Sequence, residues 1–177
     1  MHHGALAPLK HLRDQQTIEA DGRQQIVGLQ FAPDFLGRPF LGESTITAEA
    51  ATDTDICTFP RNIVDRMVGE VPDMERKLHS QSLKELDEAR DWMLTLGRKT
   101  AQEKVASFLL DMSRRVSKGD RFDLPMQRTD IADHLGLTIE TVSRTLTQFA
   151  REGLIKLAAA SRSVVLCDKD ALRRLNA

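Results

Sequence analysis

Cysteine is scarce in this chain: its 177 residues include two, Cys57 and Cys167, far apart in sequence. They match neither a disulfide framework nor a zinc-ligand spacing. Long apolar runs are missing as well, and none approaches the roughly 18 residues that a membrane-spanning helix requires. Residues 1–22 carry His, Lys, Arg, Asp and Glu with no apolar centre, so no secretory signal is visible. His2, His3, His11, His79 and His134 show no ligand spacing with carboxylates or cysteines, and no nucleophile–base set stands out. These absences argue against an enzyme or a metal-binding protein. There is no internal repeat and no low-complexity stretch. The expectation is a cytoplasmic protein with no membrane partner.

What is present is globular in character: 41% of the residues are hydrophobic and 29% charged, over a length that suits one or two modest domains. The net charge of −1 conceals an asymmetry. Residues 1–97 hold 10 Lys and Arg against 16 Asp and Glu, whereas residues 98–177 hold 15 against 10. An acidic front joined to a basic back suggests two modules, the second suited to a polyanion.

The front reads as β structure. Gly4–Leu12, Gln24–Phe31, Thr45–Ala51 and Asp55–Phe59 are short apolar or alternating runs. They are separated by turn signals at Asp21-Gly22, Pro33-Asp34, Gly37-Arg38-Pro39, Gly42-Glu43 and Thr52-Asp53. Strands at this spacing predict a barrel or sandwich. About 60 residues is thin for one, so the barrel is expected to be partial, over residues 1–71.

From Pro72 the hydrophobic period changes. Met74, Leu78, Leu86, Ala89, Met93 and Leu96 follow one another at helical steps, while Arg76, Lys77, Lys84, Glu85, Asp87, Glu88 and Asp91 occupy other faces. The pattern predicts a long amphipathic helix over 72–97, starting at Pro72 and ending near Gly97. A narrow stripe on a long helix suits a seam with a second copy of the chain; the alternative is packing onto its own barrel. Thr100 and Glu103 then have capping-box spacing ahead of a further helix with Val105, Phe108, Leu109, Met112 and Val116 on its apolar face.

The most informative stretch is Arg128–Phe149, RTDIADHLGLTIETVSRTLTQF. Arg128–Leu135 forms a short helix burying Ile131, Ala132 and Leu135; Gly136 makes the tight turn; Thr138 caps a second helix whose inner face carries Ile139, Val142, Leu146 and Phe149. Helix, glycine-containing turn, helix is the helix-turn-helix arrangement, whose second helix enters the major groove of double-stranded DNA. The alternative is an ordinary helical hairpin. Glu140, Ser143 and Arg144 stand at i, i+3 and i+4, so they project together from the outer face. Arg144 suits guanine O6 and N7, Glu140 suits cytosine N4, and Ser143 reaches a neighbouring base. A Glu140–Arg144 surface ion pair is the plainer reading of two of them. Arg128, Thr138, Thr141, Thr147 and Arg162 are candidates for the DNA backbone, with Thr145 and Gln148 beside them. Leu154–Leu157 and Ser163–Leu166 predict a two-stranded wing joined by an Ala-Ala-Ala-Ser-Arg tip, and Asp168 caps a last helix. The winged helix-turn-helix spans 98–177.

With these residues in view, the chain resembles the Crp/Fnr regulators, and among them the Fnr-type regulators of oxygen-limited metabolism. The match runs over nearly the whole chain and is sharpest in LGLTIETVSRTLTQF, with its Glu-x-x-Ser-Arg set at Glu140, Ser143 and Arg144; GRQQIVGLQFAPDFLGRPF in the front segment is also similar to Fnr-type proteins. The resemblance implies an α+β chain with a partial cyclic-nucleotide-binding-like β-barrel (jelly-roll), a long dimerisation helix and a C-terminal winged helix-turn-helix. It further implies a homodimer on palindromes of TTGAT half-sites, activation of transcription, and contact with RNA polymerase, one such loop matching Asp21-Gly22-Arg23. Cyclic-nucleotide binders of the family hold the phosphate with a Gly-Glu pair and a downstream Arg-Ser pair. This chain has Gly37-Arg38 and Ile46-Thr47 at those places, so no cyclic nucleotide is expected. Oxygen-sensing members carry a 4Fe–4S cluster on four cysteines; Cys57 matches the one in the barrel, and the three N-terminal ones have no counterpart here. A cluster would therefore need a longer form of the chain, and the expectation is that this is the C-terminal part of a longer sensor. The alternatives are a cluster-independent relative controlled by abundance or thiol oxidation, and a fragment that dimerises without reading DNA.

Overall fold

A computed structural model of the chain describes residues 3–6, 12–18, 24–31, 34–37, 47–116, 119–158 and 162–176. The chain divides into two compact units, Met1–Trp92 and Met93–Ala177.

In the first unit, β1 (His3–Leu6), β5 (Phe35–Leu36) and β7 (Thr58–Pro60) form an antiparallel sheet with β1 in the middle. A second antiparallel sheet places β2 (Leu12–Ile18) against β3 (Gln24–Ile26), β4 (Leu29–Gln30) and β6 (Thr47–Glu49). The β2–β6 pairing shifts register between Arg13 and Gln16, a bulge. Among the described residues these sheets do not close into a barrel. The run expected as one strand over Gly4–Leu12 belongs to two strands, and Leu12 opens the second. β2 reads Leu-Arg-Asp-Gln-Gln-Thr-Ile, with no apolar alternation; its pairing with three partners, rather than its own pattern, holds it extended.

The strands lead into α1 (Arg61–Glu70), a helix the turn-and-strand pattern did not announce. Its Val64 and Val68, one turn apart, are buried against Phe35, with Phe59, Met74 and Leu78 packed around them. The helix stops because Pro72 disfavours helical geometry at the residue before it, and Val71 is extended at φ −119°, ψ 96°.

The next helix, α2 (Pro72–Arg98), corrects the stripe expected from the sequence. Met74 and Leu78 face the core of their own unit, where the Gln81 side chain also brackets β5: its Oε1 accepts from Phe35 N–H at 3.0 Å and its Nε2 donates to Phe35 O at 2.9 Å. Leu86 (46% exposed), Ala89 and Met93 (63%) face solvent, joined there by Leu83 and Leu94. Leu96 is half-buried in the second unit. The reason is helical drift. At about 100° per residue, each four-residue step rotates the side chain by about 40°, so Leu86 stands roughly 120° round the axis from Met74. One sequence stripe thus serves three surroundings.

The second unit begins at the end of α2 and continues with α3 (Ala101–Val116), β8 (Arg121–Asp123), α4 (Arg128–Leu135), α5 (Ile139–Arg151), β9 (Ile155–Leu157), β10 (Ser163–Leu166) and α6 (Lys169–Leu175). α3 starts on a capping box: Thr100 N–H donates to Glu103 Oε2 at 2.6 Å, and Glu103 N–H to Thr100 Oγ1 at 3.4 Å. Its Val105, Phe108, Leu109 and Met112 are buried with Ile131, Leu135, Val142, Leu146, Phe149 and Leu172. His134 lies in this core, edge-on to Phe108 with ring centres 6.0 Å apart. The wing is a three-stranded antiparallel sheet in the order β8-β10-β9. β8 is the strand the sequence pattern left unassigned: three residues long, it places only Phe122 inside.

Candidate nucleic-acid interface

The second unit presents a helix-turn-helix whose angle is set by local backbone chemistry. Gln127 and Asp130 cap the start of α4 reciprocally. The helix ends on Gly136 at φ 57°, ψ 44°, a left-handed conformation that glycine adopts without a Cβ clash. Gly136 N–H and Leu137 N–H both donate to Ala132 O, the latter at 3.0 Å, so the turn closes tightly. Thr138 then caps α5, its Oγ1 accepting Thr141 N–H at 3.2 Å.

Helical rotation fixes what α5 shows to solvent. Val142, Leu146 and Phe149 fall within one narrow arc and are fully buried. Glu140 and Arg144 fall on roughly the opposite side at about 100° per residue, and Ser143 about a quarter-turn from the buried arc. Glu140 and Arg144 are exposed and Ser143 is half-buried. No ion pair joins Glu140 to Arg144 among the described residues, so the guanidinium keeps its five donors available.

Four details depart from the sequence reading. Ile139, expected on the inner face, is 42% exposed: it opens α5, ahead of the turns that pack on α4. Thr145 is buried and donates from Oγ1 to Thr141 O at 2.8 Å, which removes it from the phosphate candidates. The hydroxyls of Thr138 and Thr141 share a hydrogen bond of 3.0 Å, and Thr147 Oγ1 donates to Ser143 O at 2.9 Å, so all three serve the helix itself. Gln148 is held between Gln102 at 3.0 Å and Glu152 at 2.8 Å.

Arg128, the first residue of α4, is exposed. So is Arg162, whose carbonyl accepts Leu124 N–H at 3.0 Å and fixes the base of the wing. The tip residues 159–161 lie outside the described residues, as do 38–46 and 19–23, where the nucleotide-binding and polymerase loops were expected. The sequence reading passed over Lys156, which strand alternation points outward: Ile155 is buried and Lys156 exposed. Arg151, at the last position of α5, is exposed too.

The cysteines do not fit a 4Fe–4S cluster. Such a cluster takes four protein ligands, ordinarily thiolates, and the chain has two cysteines, one in each unit. Cys57 is exposed and precedes β7 rather than lying within it. Cys167 is also exposed, its Sγ 3.8 Å from Val165 O. Among the described residues no group of three or more His, Cys, Asp and Glu side chains could hold a metal ion, and no helix is long and apolar enough to cross a membrane.

Comparison with known proteins agrees with this geometry. Residues 103–175 match the Crp-like helix-turn-helix domain. The chain is 57% identical over 162 residues to a probable transcriptional activator of Rhizobium leguminosarum bv. viciae, covering 89% of this chain and 67% of that protein. It is 44% identical over 163 residues to the transcriptional activator protein FnrL of Cereibacter sphaeroides, covering 86% and 64%. Against these curated relatives the chain thus spans about two thirds of their length. The structure of FixK2 from Bradyrhizobium japonicum superposes with a TM-score of 0.91 at 37% identity, covering 99% of this chain and 87% of that one. The α+β architecture, with its strands, long helix and C-terminal helix-turn-helix, is that of these regulators, and the chain belongs to the Crp/Fnr family of transcription regulators.

Proposed function

We propose that this chain reads DNA palindromes of the TTGAT type as a homodimer and activates genes used when oxygen is limiting. The observation that carries the reading is the exposed Arg144, which has no ion pair among the described residues, beside Glu140 and Ser143 on the outward part of α5. Arg144 donates two hydrogen bonds to guanine O6 and N7, Glu140 accepts from cytosine N4, and Ser143 meets an adjacent base. Ile139, exposed at the tip of the same helix, suits a thymine methyl group. Arg128, Arg162 and Lys156 supply phosphate contacts, which orient the unit without reading sequence. Thr138, Thr141 and Thr147 order the helix through their hydroxyls and are further candidates for the DNA backbone.

Dimerisation is supported by the apolar side chains that α2 leaves in solvent, Leu83, Leu86, Met93 and Leu94. They are too many to leave unpaired on one helix. A dimer places two recognition helices about one helical turn of DNA apart. RNA polymerase is the further partner that activation requires, and the cytoplasm is the setting. The two cysteines favour a second reading of control: DNA binding by these residues is independent of an iron–sulfur cluster and follows abundance or thiol oxidation, since Cys57 and Cys167 are both exposed.

The test is base preference. Arg144→Ala is expected to weaken binding by about 1–3 kcal/mol and to relax preference at a single base pair. Glu140→Ala should blur the cytosine position. Weakening that is equal on every sequence would make Arg144 a phosphate contact and remove the base-reading role. Anaerobic incubation with iron and sulfide should give no cluster absorbance; a stable visible band would contradict the cluster-independent reading.

A further inference from the structure

The last turn of α2 is built into the DNA-reading unit. Met93 and Leu94 are each 63% exposed, but Thr95 is buried and Leu96 half-buried. A methyl group placed on Gly136 would lie 3.4 Å from Leu96 Cδ2, so Leu96 rests on the left-handed turn between α4 and α5. One residue beyond the helix, Lys99 N–H donates to Thr95 O at 3.2 Å, and its ammonium donates to Ser107 Oγ at 2.9 Å and Asn176 Oδ1 at 2.5 Å. The end of α2 is thereby tied to α3 and to the residue that follows α6. Gly136 has no side chain of its own, and the turn closes on two N–H groups sharing Ala132 O. Gly136 itself is exposed, and Leu96 is the side chain nearest the position a Cβ would take there.

We propose that Leu96 is a positioning residue for DNA recognition: it fixes the α4–α5 turn, and with it the recognition helix, to the end of α2. Half-site spacing is then read through this contact. Leu96 touches no base, and it leaves the dimer seam to Leu83, Leu86, Met93 and Leu94. The inference rests on the palindrome-reading homodimer proposed above.

The experiment compares Leu96→Ala, the conservative Leu96→Met, and Leu86→Ala as the seam control. In the free chain, amide hydrogen exchange at Gly136 and Leu137 should quicken about tenfold in Leu96→Ala and return near the starting rate in Leu96→Met. On DNA, Leu96→Ala should lose about tenfold on the preferred half-site spacing, equivalent to about 1.4 kcal/mol. Binding to a single half-site and the sedimentation of the dimer should stay unchanged. Leu86→Ala should do the reverse, shifting the monomer–dimer balance while leaving the turn amides alone. Unchanged exchange at Gly136 and Leu137 in Leu96→Ala overturns the proposal, and so does dissociation of that variant's dimer, which would place Leu96 in the seam. Should the starting protein show no palindrome preference, the functional reading fails, while the exchange rates still decide whether Leu96 holds the turn.

Discussion

The same substitution, glycine to alanine, should have opposite signs at two places in the second unit. Gly136 sits at φ 57°, where an L-residue's Cβ approaches the following carbonyl. Gly136→Ala incurs about 1–2 kcal/mol of backbone strain there. The reduced entropy of the unfolded chain offsets about 0.4–1 kcal/mol of it. The added methyl meets Leu96 Cδ2 at 3.4 Å, an ordinary contact, so sterics add little. The net expectation is a destabilisation of about 1 kcal/mol. Gly97 lies inside α2, and a Cβ there would meet nothing within 4 Å. Gly97→Ala therefore removes only the helix penalty of glycine and should stabilise by about 0.5–1 kcal/mol. Urea unfolding followed by circular dichroism, with midpoints and slopes fitted for each variant, measures both. A Gly136→Ala protein as stable as the parent would refute the claim that the turn requires left-handed backbone. A destabilised Gly97→Ala would show that the last turn of α2 has a neighbour close to that position.

Three further outcomes follow from the same structure. Thr138→Ala leaves Thr141 N–H without its cap and should cost about 1 kcal/mol in urea unfolding, with Thr138→Ser restoring most of it. Leu146→Ala opens a cavity in the core of the helix-turn-helix and should cost about 2–5 kcal/mol, lowering the midpoint far more than any substitution on the outer face. The Glu103 carboxyl is held below its ordinary pKa, first by the Thr100 backbone N–H and then by the Thr100 hydroxyl. A depressed folded-state pKa contributes stability that is present above the unfolded pKa and lost as pH falls through the folded one. Stability should therefore decline on acidification below the ordinary carboxylate range, and Glu103→Gln should flatten that decline; an identical pH profile for both proteins would remove the capping role.

The helix-turn-helix was legible in the sequence because its determinants are local. A left-handed glycine, a threonine cap and an apolar arc fit within Arg128–Phe149, so residue type alone reports the backbone. The front sheets were less legible. Several of their strands run only two or three residues, and their pairing is long-range, as between β1 and β7 or β2 and β6. Such strands carry too few side chains for alternation to mark them. α1 escaped notice because its apolar pair, Val64 and Val68, stands beside strand-like residues just ahead of Pro72. The α2 stripe misled for a different reason: four-residue steps look straight in sequence yet wind round a helix. Met74 therefore turned inward to Phe35, while Leu86 stayed in solvent. At the site, the outer trio was readable from spacing, whereas the burial of Thr145 and the exposure of Ile139 depend on where the neighbouring helices end.

The most direct measurement is equilibrium binding of the purified chain to a duplex bearing two inverted TTGAT half-sites, against a scrambled duplex of equal length at one fixed salt concentration. A specific regulator should prefer the palindrome by on the order of a thousandfold or more, and bind it as a dimer. Equal affinity for both duplexes, weakening in parallel as salt rises, would mean that the chain meets only the phosphate backbone and would contradict base reading by α5.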